Sequence, residues 1–434
     1  MRNRLVTVIF GSLVLWGFIT YFLISDEPVN RERDTVKYQI RLISKKISNV
    51  KVYEKQKDIN HVNEDRLLFE KEEKDINNND KNAQQLQIEP MYSSEASYNV
   101  PMNGKLPNGS PILAILVFSC NRITVQRCLD QLIKYRPSIE QFPIIVSEDC
   151  QHRQTADVIA RYGNQIVHIQ QPDQSDIEVP PKEKKFKGYF KIARHYGWAL
   201  NYVFFQLRYD TVIIVEDDLD IAPDFFEYFL GTYPLLVSDN SLWCVSAWND
   251  NGKAGLVDDN AADVLYRTDF FPGLGWMLTR QLWTELSPKW PKSYWDDWIR
   301  QPEQRRNRAC IRPEISRTRT FGKTGVSKYK IYLYFKYIFQ DNYDINFVNE
   351  VYQSTVVSFS ELKNGKVVAP GAVRIPYYSR QAYKNTAKQF GLMDDFRSGV
   401  PRTGYRGVVT FYYKGRRVHL APSANWNGYD TTWS

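Results

Sequence analysis

The chain has 434 residues, 43% of them hydrophobic and 14% aromatic, enough apolar matter for a sizeable core and too much length for one ordinary domain. Its 57 Lys and Arg against 49 Asp and Glu give a net charge of +8, but the two signs are mixed along the chain and no nucleic-acid motif accompanies them, so nucleic acid is not expected as a partner. The sequence also lacks a His-Glu-x-x-His pair, clustered Cys-x-x-Cys, a Gly-x-Ser-x-Gly elbow, a phosphate loop and a Gly-x-Gly-x-x-Gly fingerprint, which removes support for zinc hydrolysis and serine-nucleophile chemistry.

Residues 1–4 read as a cytosolic tail. Leu5 to Ile24 holds no charged residue, and the hydrocarbon core of a bilayer takes about 20 apolar residues of helix; residues 5–24 are therefore expected to be a transmembrane signal anchor. A cleaved signal peptide has a shorter apolar region of about 7 to 15 residues, and Ser25-Asp26-Glu27 makes a poor cleavage site. Arg2 and Arg4 precede the span, while Asp26 and Glu27 follow it. That asymmetry, blurred by Arg31 and Arg33, keeps the N-terminus cytosolic and puts the rest of the chain in the lumen of the secretory pathway. Residues 25–110 are rich in Lys, Glu, Asp, Asn and Gln and bury too little apolar surface to fold alone; they read as a luminal stem. Asn108-Gly109-Ser110 has the form of a glycosylation sequon.

The folded head is expected from Pro111. The runs "ILAILVFSC", "FPIIVSEDC", "QIVHIQQ", "TVIIVEDD" and "SLWCVSAWND" are short, apolar, rich in Val and Ile, and closed by polar residues. Helix-compatible segments such as 122–136 and 186–207 separate them, so the pattern predicts an open α/β sheet of parallel strands covered on both faces. In such sheets ligands bind outside the carboxyl ends of the strands, so Asn121-Arg122, Glu148-Asp149 and Glu216 to Asp218 are expected on one rim. Residues 111–322 make up this catalytic domain and 323–344 a mobile connection. Residues 345–434 form a smaller domain with antiparallel strands, where Lys414-Gly415 turns between two of them.

Five cysteines in a luminal chain invite disulfides. Cys120 and Cys150 each end an apolar strand, and parallel neighbours would bring their sulfurs together. Cys244 then has Cys310 or Cys128 as its partner; Cys310 is favoured, leaving Cys128 as a buried thiol in the first helix.

Two acidic stretches carry the chemistry. Glu216-Asp217-Asp218 closes a strand, and three adjacent carboxylates repel unless a positive charge sits among them. Pro223 and Asp224 also suit the start of a helix, so the stretch has a purely structural reading as an acidic turn. The functional reading is a site for a hard divalent cation such as Mg²⁺ or Mn²⁺, which takes one or two carboxylates plus phosphate oxygens; the ion is then the expected positive partner. In "YWDDWIR", Asp296 and Asp297 lie between Trp295 and Trp298. They read either as the first turn of a helix or as a partly desolvated base for an incoming hydroxyl. His195, in a helical pattern, has no motif of its own.

The segments "YFKIARHYGWAL", "VIIVEDDLDIAPDFFEYF", "LWCVSAWNDNGK", "LYRTDFFPGLGWML", "LSPKWPKSYWDDWIR", "RACIRPEISRT" and "GVPRTGYRGVVTF" together resemble the N-acetylglucosaminyltransferase I family, in order and across 111–423. The resemblance implies a Golgi type II membrane enzyme with a Rossmann-like, A-type glycosyltransferase α/β fold. It implies inverting transfer of GlcNAc from UDP-GlcNAc to the α-1,3-linked mannose of an N-glycan on a glycoprotein, in a β-1,2 bond. By this resemblance Asp218 matches the Mn²⁺ ligand, Arg122, Asp149, His195 and Asp217 match donor-binding positions, and Ser327 matches a donor contact on a loop that orders with the donor. Asp296 matches the catalytic base, and Glu216 is left as a supporting acid. The family pattern also pairs Cys120 with Cys150 and Cys244 with Cys310. Asn121, where the family commonly has Asp, and the stretch after Ser327 depart from it. Transfer to O-mannosyl glycans and a non-catalytic, membrane-tethered glycan-binding protein are the alternatives.

Overall fold

The structure, a computed structural model, describes residues 104–321 and 336–433, all within one compact unit, Ser97–Ser434. The expected tail, the anchor at 5–24, nearly all of the stem, and Ser327 lie outside the described residues. Among the described residues no helix is long and apolar enough to cross a membrane.

The main sheet has eight strands: β1 (Ala114–Ser119), β2 (Ile144–Glu148), β3 (Val167–Gln170), β4 (Thr211–Glu216), β6 (Leu242–Ser246), β7 (Leu265–Thr268), β8 (Trp276–Thr279) and β9 (Ala309–Pro313), with a short β5 (Leu219–Ile221) outside it. Their order is β3-β2-β1-β4-β8-β6-β9-β7. β8 runs against β4 and β6, and β7 runs against β9, while the other neighbours are parallel, so six of the eight strands point one way. The sequence pattern placed "SLWCVSAWND" in the parallel series; β6 does share that direction, but the antiparallel β8 separates it from β4.

Strand parity divides the core. Ile115, Val117, Ile213 and Val215 face one layer with the helices Val125–Tyr135 and Phe225–Ser238. Ala114, Leu116, Phe118, Val212 and Ile214 face the other, with the helix Lys187–Asn201. Side chains on a strand alternate with period two, so both faces of a continuous apolar run are buried, as two covered faces require.

β10 (Thr318–Thr320) pairs antiparallel with β5 and returns the chain to the acidic turn. A second sheet follows, formed by β11 (Thr355–Val356), β12 (Val373–Pro376), β15 (Val409–Tyr413) and β16 (Arg416–Ala421) in the order β11-β12-β16-β15, with a two-strand pair β13 (Phe396–Arg397) and β14 (Val400–Pro401) beside it. One pairing in this sheet, β15 with β16, is antiparallel; the other two are parallel. Lys414 and Gly415 turn between β15 and β16 with φ of 48° and 78°, the positive pair that a two-residue hairpin turn favours.

Of the mobile connection expected over 323–344, residues 323–335 lie outside the described residues, and the remainder is packed rather than free. Ile338 is fully buried and the helix Gln340–Gln353 sends Tyr343, Phe347 and Val351 into the core of the main sheet. Arg402 to Asp250 at 2.9 Å and the Tyr429 hydroxyl to Asp269 at 2.6 Å tie the C-terminal segment to the loops of that sheet.

Candidate active site

The parallel strands end in a row. Ser119 lies opposite Glu148, and Phe118 opposite Glu216. Beyond these ends opens a cleft of about 390 Å³ lined by Arg122, Asp149, His195, Glu216, Asp217 and Asp218, together with Cys120 and Cys150. A cavity of about 490 Å³ sits at the other ends of the strands, near Thr211 and Leu242, and holds none of these residues.

Parity sends the three acids apart. Glu216 continues the face of Val212 and Ile214 and meets the helix Lys187–Asn201, where the Tyr196 hydroxyl donates to it at 2.9 Å. Asp217, next in line, turns the other way; Ser119 Oγ reaches it at 3.4 Å and Arg122 at 3.3 Å. The same Arg122 nitrogen donates to Asp218 at 3.1 Å. The positive charge expected among these carboxylates is thus first met by a guanidinium of the chain itself. Burial raises the Glu216 carboxyl to about 7, the Tyr196 hydrogen bond pulling it down and Asp218, Asp217 and Asp296 pushing it up. Burial also raises Asp217, with Arg122 drawing it back.

The turn is anchored from both sides. Asp217 N–H donates to Phe118 O, and Phe321 N–H donates to Asp218 O, each at 3.1 Å. Asp220, buried, accepts from Arg127 at 2.7 and 2.6 Å, Gln131 at 2.6 Å and Arg319 at 2.9 Å. Asp224, expected at the helix start, does immediately precede the helix Phe225–Ser238, but its side chain caps nothing there and instead accepts from Arg317 at 3.2 Å.

His195 is buried, with Nε2 at 2.7 Å from Ser147 Oγ. Burial lowers its pKa to about 4, against the pull of Asp149, so the imidazole is neutral near pH 7. Asp149 is buried and takes Gln174 Nε2 at 2.9 Å. Directly after it, Cys150 and Gln151 hold φ of 73° and 48°, left-handed values that non-glycine residues keep only where the surroundings enforce them. Cys120 and Cys150 lie at disulfide distance, their Cα atoms 5.3 Å apart. Cys244 and Cys310 are register partners on β6 and β9, with Cα atoms 4.6 Å apart. Cys128 is a free, buried thiol.

Asp296 and Asp297 open the short helix Trp295–Ile299. Asp296 does not line the cleft, yet its charge is felt at Glu216. Its side chain is 46% exposed, more open than the desolvated base the flanking tryptophans suggest, and the nearly buried Arg300 holds it at 2.9 Å. Asp297 is pinned twice, by Arg300 at 3.3 Å and by Arg397 at 3.2 Å. Trp295 turns inward and stacks on Tyr196 at 4.5 Å.

No group of three or more His, Cys, Asp or Glu among the described residues is arranged to hold a metal ion. The acid turn nonetheless suits a hard cation: Asp218 Oδ1 is buried without a hydrogen-bond partner, and such ions use one or two carboxylates with ligand and water completing the shell.

The GNT-I family pattern matches residues 12–336 and 329–433. The chain belongs to the GNT-I family. An Arabidopsis thaliana relative, an α-1,3-mannosyl-glycoprotein 2-β-N-acetylglucosaminyltransferase, is 37% identical over 339 residues, 73% of this chain and 76% of that protein. Among solved structures, S. aureus TarS in complex with UDP-GlcNAc is 14% identical, with TM-score 0.34 and coverage of 54% of this chain and 64% of that one. A Pyrobaculum calidifontis mannosyltransferase in complex with GDP-Man and Mn²⁺ is 15% identical, with TM-score 0.29 and coverage of 44% and 50%. Likeness at these scores has no bearing on function.

In this GNT-I family member the cleft gathers six of the expected site residues, and Asp296 stands beside it. Sequence reasoning missed Tyr196, Ser147, Gln174 and Arg300. Tyr196 had one available signal: it sits next to His195 on the apolar face of a helix, where a phenol is a polar group that needs a partner. Arg300 had another, being four residues after Asp296 in a helical stretch.

Proposed function

We propose that this chain is an inverting glycosyltransferase that moves GlcNAc from UDP-GlcNAc to the 2-hydroxyl of the α-1,3-linked mannose of N-glycans, forming a β-1,2 bond. Family membership and the Arabidopsis relative's name support the reaction. The observation that carries it to particular residues is the convergence of Arg122, Asp149, His195 and the acid turn in one cleft at the carboxyl ends of the parallel strands. Its size falls within the roughly 300 to 1,000 Å³ of small-ligand sites.

A buried carboxylate at Asp149 and a neutral imidazole at His195 suit the polar edge of a pyrimidine base. Arg122, part exposed at the cleft mouth, offers its guanidinium to a diphosphate and would exchange its carboxylate contacts for phosphate ones. Asp218, with Asp217 behind it, would hold the divalent cation. Such an ion supplies charge neutralisation for the departing diphosphate. Asp296 takes the proton from the mannose 2-hydroxyl as that oxygen bonds to the anomeric carbon and the bond to the diphosphate oxygen breaks. One carboxylate suffices, where an inverting glycosidase needs two, because the diphosphate leaves without a proton from a general acid. Arg300 orients that carboxylate and Glu216 supports the site through Tyr196.

The same reading makes Leu5 to Ile24 the membrane anchor of a type II Golgi protein with a luminal head, and the two cysteine pairs disulfides of an oxidising compartment. The deciding experiment incubates the full-length protein in detergent with UDP-GlcNAc and either an oligomannose N-glycan or an O-mannosyl peptide, with and without EDTA. Cation-dependent transfer to the first acceptor supports the reading. Transfer to the second alone, or binding without turnover, overturns it.

A further inference from the structure

Aromatic side chains cluster at the lip of the cleft, outside the residues assigned above. Phe186, Tyr189 and Ile192 are all exposed, Tyr189 by 47%. Large apolar groups are normally left in water singly; three within two helical turns form a patch that calls for an occupant. Tyr189 stacks on Tyr294 with centroids 4.8 Å apart and planes 26° from parallel, and Phe186 flanks both at 6.3 and 6.4 Å. The patch is continuous with the cleft, because Gly188, Lys191 and Ile192 line it.

Tyr294 links this surface to the chemistry. It precedes the helix Trp295–Ile299, two residues before Asp296, and is held left-handed at φ 49° and ψ 45°. A bulky residue keeps that conformation only where its surroundings enforce it. Here the strained backbone turns the ring outward onto Tyr189 while the next residue, Trp295, turns inward onto Tyr196.

We infer that Tyr189, Tyr294 and Phe186 form a stacking platform for a mannose ring of the acceptor glycan, which seats the acceptor beside Asp296. The inference rests on the transferase reading above and names its acceptor subsite. A pyranose presents a flat C–H face that buries against aromatic rings, while phenol hydroxyls at the rim meet its hydroxyls. The donor's anchors Arg122, Asp149 and His195 line the cleft itself, whereas none of the three platform rings does, so the platform is left for the second substrate. Lys185 sits over the Phe186 ring at 4.8 Å, and Lys182 and Lys184 are exposed on the short 3-10 helix Pro181–Phe186 that leads to it. An anionic occupant would be drawn by these lysines and a neutral mannose would not, so salt separates the two.

The test measures steady-state transfer by the full-length protein and by Tyr189→Ala, whose exposed site tolerates the change, with Tyr378→Ala as a remote exposed control. Loss of one ring face is expected to raise the acceptor KM about ten-fold, with the UDP-GlcNAc KM moving less than two-fold and the acceptor KM insensitive to salt between 50 and roughly 300 mM. Tyr189→Trp should restore most of the loss. An unchanged acceptor KM, a rise in donor KM of the same size, or a steep salt dependence overturns the platform. Saturable quenching of intrinsic fluorescence by free mannobiose, lost in Tyr189→Ala, is expected even if no transfer occurs. Quenching that persists in the variant counts against the platform, and absence of transfer by the parent protein counts against the transferase reading alone.

Discussion

The Tyr196 hydroxyl donates to Glu216 at 2.9 Å while the same ring stacks on Trp295 at 4.5 Å and on Phe118 at 3.7 Å. One buried residue therefore joins the acidic turn after β4 to the helix that carries Asp296. Tyr196→Phe keeps both stacks and removes the hydrogen bond, which should cost about 1 to 2 kcal/mol. Tyr196→Ala also empties the space between two rings and should cost about 3 to 5 kcal/mol. Urea denaturation monitored by fluorescence checks both; equal losses for the two variants would mean that the stack contributes nothing.

Asp296 and Asp297 are adjacent but not equivalent. Arg300 holds both, yet Arg397 takes up Asp297 as well, and it is the charge of Asp296 that helps raise Glu216. Asp296→Asn is expected to lower kcat by about 10² to 10⁴ with little change in donor KM. Asp297→Asn should lower it less than ten-fold and weaken the tie to β13. A larger kcat loss for Asp297→Asn would reverse the assignment.

Arg122 sits where a cation would lessen the repulsion between Asp217 and Asp218. Arg122→Ala should therefore tighten Mn²⁺ binding to the donor-free protein, by a few-fold at this exposed guanidinium, while raising the UDP-GlcNAc KM about ten-fold or more. Asp218→Asn should weaken the ion and raise the Mn²⁺ concentration needed for half-maximal transfer. Titration calorimetry of Mn²⁺ with and without UDP checks the first effect; weaker Mn²⁺ binding by Arg122→Ala without donor would show that the guanidinium does not compete.

The strands of the main sheet were legible because each apolar run is short, β-branched and closed by polar residues, and the rim followed from the direction those strands share. The cysteine neighbours followed from the same logic, since Cys120 and Cys150 follow the carboxyl ends of the adjacent β1 and β2, just beyond the Ser119–Glu148 pair. Three things were not legible. The pairing of Arg122 with Asp217 spans 95 residues, and that of Tyr196 with Glu216 joins a helix face to a strand end. The rim these residues share was legible, but which side chains pair across it was not, because local pattern does not name a partner. β8, only four residues long in the turn-rich stretch around Gly273 and Gly275, gave too short a run to register. The packing of Ile338 depends on a helix, Gln340–Gln353, that docks on the main sheet, and composition does not report where a helix docks.

His195 makes stability depend on pH. Burial holds its folded-state pKa at about 4, below the 6.5 of an unburied imidazole. The unfolded chain therefore binds this proton more readily than the folded one. The contribution is fully present above pH 6.5 and is lost as pH falls toward 4. His195→Gln keeps a hydrogen-bonding group near Ser147, 2.7 Å from the imidazole in the parent, and does not titrate. Its unfolding free energy should fall less steeply between pH 6.5 and 4, measured by denaturant titration at half-unit steps. Parallel curves for the parent protein and His195→Gln would show that the imidazole is already accessible to protons in the folded state.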